Sequence, residues 1–357
     1  AYPCYETAQE LDLMRKVLLG RGLPPIYDRG ALKLSDKERA AKEAAGIKPH
    51  WRFKLDHNEL IEWHDGIRGP QKFDPAQLSD PVIRRADGSW LYMLPSAIDD
   101  IDMGVTQILR GEDHVSNTAT QIQMFTALYA AGFAAERPLP QFAHEALLVG
   151  SEGKLSKRLG SLGCDAFREK GIEPEALVAL LARLGTSLPV EPIADRAVLL
   201  ASFDLATFGR APARFDDAEL ERLNTAIVHQ LEFDAVRHRL PPGMDEAGWH
   251  AVRPNLATVH DAAEWWRLVT GPIDQLEFSP EDRAYLAEAA RNLGWGDDPW
   301  HELTNALKDR TGRKGKPLFL PLRQALTGMD HGPDMAELLP LIGEAEARAR
   351  LEHAAHG

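Results

Sequence analysis

The residues best suited to chemistry lie in one glycine-flanked run, Gly153-Lys-Leu-Ser-Lys-Arg-Leu-Gly160. Its lysines, Lys154 and Lys157, are three residues apart. A loop of this composition can wrap a polyphosphate, because glycines let the backbone approach and ammonium groups act as mobile point charges. Taken by itself, however, the run fits an ordinary basic surface loop better than a phosphate site.

A second group of candidates is acidic and surrounds one arginine, Arg110. The acids are Asp99, Asp100, Asp102, Glu112 and Asp113. Carboxylates suit Mg²⁺ or Ca²⁺, so a metal cluster is one interpretation, although the spacing of an EF-hand, with its fixed Gly and terminal Glu, is absent. A structural ion pair between Arg110 and one of these acids is another.

The chain that must position these groups is long enough for more than one core. It has 357 residues, and single cores stop growing at roughly 250–300. A net charge of -13 argues against a generic polyanion binder but does not exclude RNA, because an acidic protein can carry basic stripes. One basic cluster fits either a solvated face or an RNA contact: Lys308, Arg310, Arg313, Lys314 and Lys316.

Apolar patterning predicts no membrane span. The longest apolar stretches, such as residues 176–182, are far shorter than the roughly 20 residues that cross a bilayer. Residues 1–10 have neither the basic start nor the apolar core of a secretory signal. Only two cysteines occur, Cys4 and Cys164, which favours a reducing compartment, and we expect a cytoplasmic protein.

The first 115 residues change character near residue 80. Residues 1–80 mix short helices with breaks at Leu23-Pro-Pro25 and Lys48-Pro-His50, which is typical of an insertion domain. Short apolar runs follow at Leu91 to Leu94 and Val105 to Leu109, and both are candidate strands.

Helical signals take over from there. A helix with Ser116 or Asn117 as N-cap should end at Gly132, so that strand, turn and helix suggest part of a doubly wound sheet. From about residue 172 onward, helix starts such as Asp216 and Ser279 precede long apolar-periodic segments, and we expect a mostly α-helical half.

The lysine run resembles the Lys-Met-Ser-Lys-Ser signature of class I aminoacyl-tRNA synthetases in its glutamyl-type form, Lys-Leu-Ser-Lys-Arg. In that family the loop closes over ATP. The resemblance implies that Lys157, assisted by Lys154, neutralises charge on the phosphates as the adenylate forms, and preorganised charge of this kind is usually a large catalytic effect.

Further blocks resemble bacterial glutamyl-tRNA synthetases in the order of that family. They are Asp80-Pro-Val-Ile-Arg-Arg-Ala-Asp-Gly-Ser-Trp-Leu-Tyr92, Ile98-Asp-Asp-Ile-Asp-Met-Gly-Val-Thr-Gln-Ile-Leu-Arg-Gly-Glu-Asp-His114, Ser116-Asn-Thr118, Gly312-Arg-Lys-Gly-Lys-Pro-Leu-Phe-Leu-Pro-Leu-Arg-Gln-Ala-Leu-Thr-Gly328 and His331-Gly-Pro333. The last two lie in the region that binds the anticodon in the family. Their apolar residues, Leu318, Phe319, Leu322 and Leu326, should build core, and the adjacent cations are the better RNA candidates.

The resemblance assigns roles residue by residue. Tyr92 and Arg110 fall on positions that line the glutamate pocket, where a guanidinium fork pairs with a carboxylate. Ser96 stands in the same pocket where many members have Asn. Asp100 matches an acidic position near the tRNA acceptor end, and Asp113 with His114 lies where the adenosine is approached.

The segment that carries zinc in some members departs from their pattern. Tyr2-Pro-Cys-Tyr-Glu-Thr and Gly22-Leu-Pro-Pro-Ile-Tyr-Asp28 match it, but Glu6 and Ala31 stand where ligating members have cysteine. Because a structural zinc site needs four Cys/His-type ligands, we expect no zinc and no other protein-held metal. His50, His57 and His64 are interpreted as surface histidines.

The predicted architecture is α/β plus all-α: a partial class I Rossmann-like catalytic domain with an insertion, then a mostly α-helical stem-contact and anticodon-binding region. The predicted segments are 1–80 (acceptor-stem insertion), 81–150 (second half of the catalytic domain), 151–230 (lysine loop and stem contact) and 231–357 (anticodon-binding domain).

The predicted function is a glutamate–tRNA ligase that uses ATP with Mg²⁺, acts on tRNA-Glu and works as a monomer. The sequence leaves open whether tRNA-Gln is charged as well. No His-Ile-Gly-His-like motif occurs in the sequence, so residues 1–357 by themselves are expected not to form glutamyl-adenylate. Two alternatives remain: a non-catalytic tRNA- or partner-binding remnant, and an enzyme like glutamyl-queuosine tRNA synthetase.

Overall fold

The computed structural model describes residues 1–135, 137–150, 153–154 and 163–356, with the backbone alone at residues 153 and 154. The chain divides into two compact units. Unit 1 comprises Ala1–Lys154, Gly185–Leu188 and Asp204–Phe215, and unit 2 comprises Leu155–Leu184, Pro189–Phe203 and Asp216–Gly357.

Unit 1 holds the β-structure. Its strands are β1 Tyr2–Cys4, β2 His50–Arg52, β3 Ile61–Asp65, β4 Gly69–Phe73, β5 Val82–Arg84, β6 Gln107–Gly111, β7 Gln141–Glu145, β8 Leu148–Gly150, β9 Gly153–Lys154 and β10 Ala213–Arg214. Its helices are α1 Ala8–Gly20, α2 Asp36–Ala44, α3 Met93–Asp102 and α4 Val115–Ala130. Two small sheets have the orders β1-β2-β5 and β10-β8-β9.

The sheet that matters for function has four strands in the order β4-β3-β7-β6. Strands β6 and β7 are parallel over their full length, from Gln107 opposite Gln141 to Gly111 opposite Glu145. Helix α4 connects them, which makes β6-α4-β7 a βαβ unit. Strands β3 and β4 form an antiparallel hairpin, and β3 meets β7 in parallel at Asp65. The predicted fragment of a doubly wound sheet is confirmed.

Helices α3 and α4 cover one face of this sheet because each buries one apolar stripe. Ala97 and Ile101 lie four residues apart on α3, and Ile122 and Phe125 lie three apart on α4. These side chains pack with Phe142 of β7 in one core. This packing fixes how both helices lie on the sheet.

Two local predictions were wrong. Leu91 to Leu94 is not a strand: α3 begins at Met93, and a run of four apolar residues is too short to reveal a period. Helix α4 begins at Val115, because the 3₁₀ turn Glu112–His114 leads directly into it. Asn117 therefore lies inside the first turn and is not a cap.

The predicted boundary at residue 80 does not separate compact units. Strand β3, from the predicted insertion segment, hydrogen-bonds to β7 from the predicted catalytic segment. The functional division into an acceptor-stem insertion and a catalytic part remains a prediction.

Unit 2 is helical in the residues that the structure describes, as predicted. Its helices are α5 Cys164–Glu169, α6 Pro174–Leu181, α7 Arg196–Ala201, α8 Asp217–Val228, α9 Phe233–Val236, α10 Glu246–Val252, α11 Ala262–Thr270, α12 Pro280–Asn292, α13 Pro299–Thr311, α14 Lys316–Thr327, α15 Met335–Ile342 and α16 Glu344–His356. Asp216 and Ser279 cap α8 and α12 through their side chains, as expected. None of the helices in the described ranges is long and apolar enough to cross a membrane.

The first small sheet brings three potential metal ligands together. Cys4 lies opposite His50 in the β1-β2 ladder, and the donor atoms of Cys4, Glu6 and His50 all lie within 4.8 Å of one another. His50 is buried, so its interpretation as a surface histidine was wrong. Its Nε2 atom has no hydrogen-bond partner among the described residues.

This set does not complete a structural zinc site. A closed site takes four ligands, and the buried Ala31 contributes none. The Tyr27 hydroxyl donates to Glu6 at 2.6 Å and lies 3.7 Å from the Cys4 sulfur. Burial raises the pKa of Cys4 to about 11, which makes displacement of the thiol proton by a metal ion more costly.

We predict that the purified protein carries no stoichiometric zinc, because the three donors of Cys4, Glu6 and His50 do not complete a four-ligand site. Elemental analysis of protein prepared without chelators should find far less than one zinc per chain. One tightly held zinc per chain that disappears in a Cys4→Ser variant would contradict this prediction.

Candidate active site

The candidate site forms at the carboxyl ends of the two parallel strands. Arg110 is the penultimate residue of β6, and His144 is its partner in β7. The chain turns after β6 through Glu112–His114 into α4, whose first two turns then face the strand ends. Crevices at this edge of an open α/β sheet are the usual place for ligands.

The guanidinium of Arg110 is held by four side chains. Its Nε donates to His144 Nε2 at 3.3 Å and its Nη1 to the Tyr92 hydroxyl at 3.0 Å. Its Nη2 donates to Thr118 Oγ1 at 2.5 Å and to Gln121 Oε1 at 2.8 Å. The group is therefore fixed in one orientation by four acceptors, each of which is uncharged when His144 is neutral.

In the described part of the chain, no carboxylate lies within ion-pair distance of Arg110. The structural ion pair considered from the sequence is thus not seen there. A guanidinium has five N–H groups, and one of those on Nη1 is left over beside the half-exposed Tyr92 hydroxyl. Two adjacent donors and an uncompensated positive charge suit a ligand carboxylate.

Ser96 belongs to the same group through a residue that sequence reasoning missed. The amide of Gln121 donates to Ser96 Oγ at 3.4 Å and to the Met93 carbonyl at 3.3 Å, while its oxygen accepts from Arg110. Gln121 is fully buried. One sequence feature could have indicated Gln121. It lies three positions after Thr118, so both polar side chains lie on the same face of α4, next to its buried apolar residues.

His114, which follows Asp113 in the turn after β6, lies beside Tyr92. The rings of Tyr92 and His114 meet edge to face with centroids 5.7 Å apart. Asn117 Nδ2 lies 3.1 Å from His114 Nδ1 and fixes that ring. Asp113 is exposed, with a carboxylate oxygen 3.9 Å from His114 Nε2, so both side chains are accessible to a ligand.

Asp100 lies outside this group. It occupies the last turn of α3 and lines a separate cleft of about 500 Å³, together with Arg137 and with Gln107 and Gln141, the first residues of β6 and β7. That cleft is at the amino ends of the strands, opposite Arg110. Burial raises the pKa of Asp100, against the lowering effect of the charge on Arg110. Asp100 is thus within electrostatic range of Arg110 without pairing with it in the described residues, and its assignment near the tRNA acceptor end remains a prediction.

The acidic residues around Arg110 do not assemble into a metal cluster in the ranges that the structure describes. Glu112 is instead paired with Arg68 at 2.6 Å. Of the lysine run, residues 153–160, the structure describes only the backbone of residues 153 and 154. Strand β9 pairs with β8 and contains the backbone of Lys154, but the side chain of Lys154 and the whole of Lys157 lie outside the described residues.

A second candidate site lies in unit 2, between α13, α14 and α15. It is a cleft of about 330 Å³ whose wall includes Trp300, Phe319, Arg323 and Asp334. Phe319 is 44% exposed, so its assignment to the core was wrong, whereas Leu318, Leu322 and Leu326 are buried as predicted. The rings of Trp300 and Phe319 lie 6.2 Å apart.

Arg323 places in this cleft a cationic side chain with one unpaired nitrogen in the described structure. Its Nη1 is buried and has no hydrogen-bond partner among the described residues. Burial lowers the pKa of Arg323, and Asp334 opposes that effect. By contrast, Arg313 of the predicted basic cluster is paired with Asp282 at 2.7 Å and Glu281 at 2.9 Å, and Arg310 is paired with Glu288 at 2.7 Å. Arg323 is therefore better placed for a ligand than these two arginines.

Two family models match most of the chain. Residues 1–222 match the family model for the catalytic domain of class I tRNA synthetases (E and Q), and residues 243–355 match that for an anticodon binding domain. The chain is similar to a crystal structure of a glutamate tRNA ligase from Elizabethkingia meningosepticum in complex with its amino acid, with a TM-score of 0.80 and 23% identity over 99% of this chain and 79% of that one. This likeness supports the fold.

Curated relatives are much closer in sequence. The chain is 79% identical to glutamate–tRNA ligase 2 of Erythrobacter litoralis over 99% of its own length and 78% of the relative. It is 68% identical to glutamate–tRNA ligase 1 of Novosphingobium aromaticivorans over 98% of its own length and 78% of the relative. The chain therefore belongs to the glutamate–tRNA ligase family of class I aminoacyl-tRNA synthetases.

Proposed function

We propose that the protein attaches glutamate to tRNA in two steps. In the first, a carboxylate oxygen of glutamate attacks the α-phosphate of ATP, and the bond to the leaving pyrophosphate breaks. In the second, a terminal ribose hydroxyl of the tRNA attacks the carbonyl of the adenylate, and AMP leaves. The observation that carries the proposal is the guanidinium of Arg110, fixed by four uncharged acceptors and without a carboxylate partner in the described residues.

Glutamate would be selected through its side-chain carboxylate. The free N–H on Nη1 of Arg110 and the hydroxyl of Tyr92 can both donate to it, and their atoms are 3.0 Å apart. Ser96, linked to the same group through Gln121, adds a hydroxyl at the edge of the pocket. A site with fixed donors and net positive charge favours an anionic side chain over its neutral amide.

ATP would lie on the other side of Tyr92. Asp113 and His114 are accessible there for the adenosine, and the lysine run would follow the phosphates, with Lys157 on the developing pyrophosphate and Lys154 beside it. Mg²⁺ would accompany ATP and neutralise phosphate charge, without a cage of protein ligands. The family match over residues 1–222 supports this arrangement.

Unit 2 would bind the tRNA. Its match to an anticodon binding domain supports this assignment, and the cleft at Arg323 offers an exposed aromatic ring for stacking and a cation for base edges or phosphate. We propose tRNA-Glu as the substrate, with tRNA-Gln as a second substrate to be tested, and a monomer in the cytoplasm. An anticodon-binding unit weighs against the glutamyl-queuosine alternative, whose shorter chain ends before such a unit.

Arg110→Ala in the full-length gene product should weaken glutamate use by about 2–5 kcal/mol in kcat/KM, because it removes a charge-assisted pair from a desolvated pocket. Pyrophosphate exchange with ATP, glutamate and tRNA measures the effect. Arg110→Lys is the matched control: it keeps the charge but loses the fork and should fall between wild type and Arg110→Ala. An Arg110→Ala enzyme with unchanged kcat/KM for glutamate would refute the role.

Lys157→Ala should mainly lower the rate of adenylate formation and leave the KM for glutamate nearly unchanged, since its charge acts on the transition state. Single-turnover measurement of adenylate formation separates the two effects. Lys157→Arg should recover part of the rate because it restores a positive charge. A Lys157→Ala enzyme whose only defect is a higher KM for glutamate would contradict this assignment.

Arg323→Ala should weaken tRNA binding by roughly 1–3 kcal/mol, the usual cost of losing one base-contacting arginine. Folding should survive, because Arg323 already has a donor without a partner in the described structure. A titration of residues 1–357 with tRNA at several salt concentrations tests this, with Arg310→Ala, at a surface ion pair, as the control variant. Equal losses in both variants would indicate general electrostatics and overturn a specific contact at Arg323.

A further inference from the structure

A buried acid and a buried histidine lie directly behind Arg110. Asp65 ends β3, His144 lies in β7, and neither side chain is accessible to solvent. His144 Nδ1 lies 2.5 Å from Asp65 Oδ2. The other ring nitrogen of His144 contacts Arg110, so the three residues form a continuous chain from the sheet interior to the candidate pocket.

Backbone groups keep Asp65 ionised. Its Oδ1 accepts hydrogen bonds from the backbone N–H groups of Ile67 at 3.1 Å, Arg68 at 3.0 Å and His144 at 3.0 Å. Burial by itself would raise the pKa of Asp65, but the hydrogen bonds from His144 and from these N–H groups outweigh it and hold the pKa below its usual value.

An ionised Asp65 dictates the tautomer of His144. Because Oδ2 of Asp65 can only accept, Nδ1 of His144 must carry the proton, and Nε2 is left with a lone pair. His144 Nε2 accepts a hydrogen bond from Arg110 Nε at 3.3 Å and lies 2.9 Å from Thr118 Oγ1. Burial lowers the pKa of His144, Asp65 opposes this effect, and the charges of Arg110 and Arg68 add to the lowering, so the ring is neutral.

We propose that Asp65 and His144 are positioning residues for amino acid selection: Asp65 sets the tautomer of His144, and His144 orients the guanidinium of Arg110 toward the glutamate side chain. The inference rests on the proposed function and deepens it. Neither residue touches the substrate. Their effect reaches it only through Arg110, whose Nε–H group is accepted by His144 while Tyr92, Thr118 and Gln121 accept from the other two nitrogens.

Asp65→Asn separates this role from a merely structural one. The three backbone N–H groups would retain the amide oxygen of Asn, so its NH₂ would face His144 Nδ1 and force the proton onto Nε2. Two N–H groups would then oppose each other at Arg110. The KM for glutamate should rise about tenfold or more, the loss expected for a hydrogen bond to a charged group, while the KM for ATP should change little.

Asp80→Asn is the matched control. Asp80 is an equally buried acid of unit 1 that is paired with Arg29 at 2.8 Å, away from Arg110. Its replacement should lower thermal stability without a selective rise in the KM for glutamate. If Asp65→Asn and Asp80→Asn affect glutamate and ATP alike, Asp65 is merely structural and the proposal is wrong.

The double variant Asp65→Asn with His144→Gln provides a rescue test. Glutamine has no tautomer, and its carbonyl oxygen can accept from Arg110 Nε whatever stands at position 65. Glutamate use in the double variant should therefore exceed that of Asp65→Asn alone. Additive loss in the double variant would overturn the proposal.

A spectroscopic measurement on the unaltered protein covers the case in which Asp65→Asn does not fold. Nitrogen-15 NMR of the histidine side chains should find His144 neutral and protonated on Nδ1 at neutral pH, and a proton on Nε2 would contradict the mechanism. This readout is independent of activity. Failure of the unaltered full-length enzyme to exchange pyrophosphate with glutamate would instead refute the proposed function.

Discussion

The organisation of unit 1 depends on holding a guanidinium rigid without neutralising it. A carboxylate of the protein beside this half-buried arginine would neutralise its charge and leave little of it for a ligand. Here the acceptors around Arg110 are a neutral imidazole, two hydroxyls and an amide. They satisfy the hydrogen bonds and leave the charge for a ligand.

That requirement explains why the neighbouring elements meet where they do. Parallel pairing of β6 with β7 brings His144 beside Arg110. The turn after β6 starts α4 at once, so Thr118 and Gln121 reach back over the strand end. Helix α3 starts at Met93, so Tyr92 comes to lie at the mouth of the pocket. The buried Asp65 fixes the imidazole in one tautomer, while burial and the charges of Arg110 and Arg68 keep the ring neutral.

Sequence reasoning predicted the parts of this arrangement that depend on local signals or on the family resemblance. These parts are the helical character of unit 2, the caps at Asp216 and Ser279, and the grouping of Tyr92, Ser96 and Arg110. Asp65, His144 and Gln121 were missed because their roles arise only when distant strands pair, and a single buried polar residue carries no local signal. Asp100 was assigned by resemblance to a position near the tRNA acceptor end, and that assignment remains a prediction; the structure places its side chain in a neighbouring cleft. The short run Leu91 to Leu94 was ambiguous between strand and helix until α3 and α4 packed together.

The most direct test of this account is amino acid discrimination by the full-length gene product. Glutamine has nearly the shape of glutamate but lacks the charge, so the ratio of kcat/KM for the two amino acids in pyrophosphate exchange reports what the unpaired Arg110 contributes. We expect glutamate to be preferred by several orders of magnitude, because the neutral amide would leave the guanidinium uncompensated in a desolvated pocket and has only one oxygen to accept from Arg110 and Tyr92. Activation of glutamine at a comparable kcat/KM would contradict the claim that this guanidinium selects the substrate.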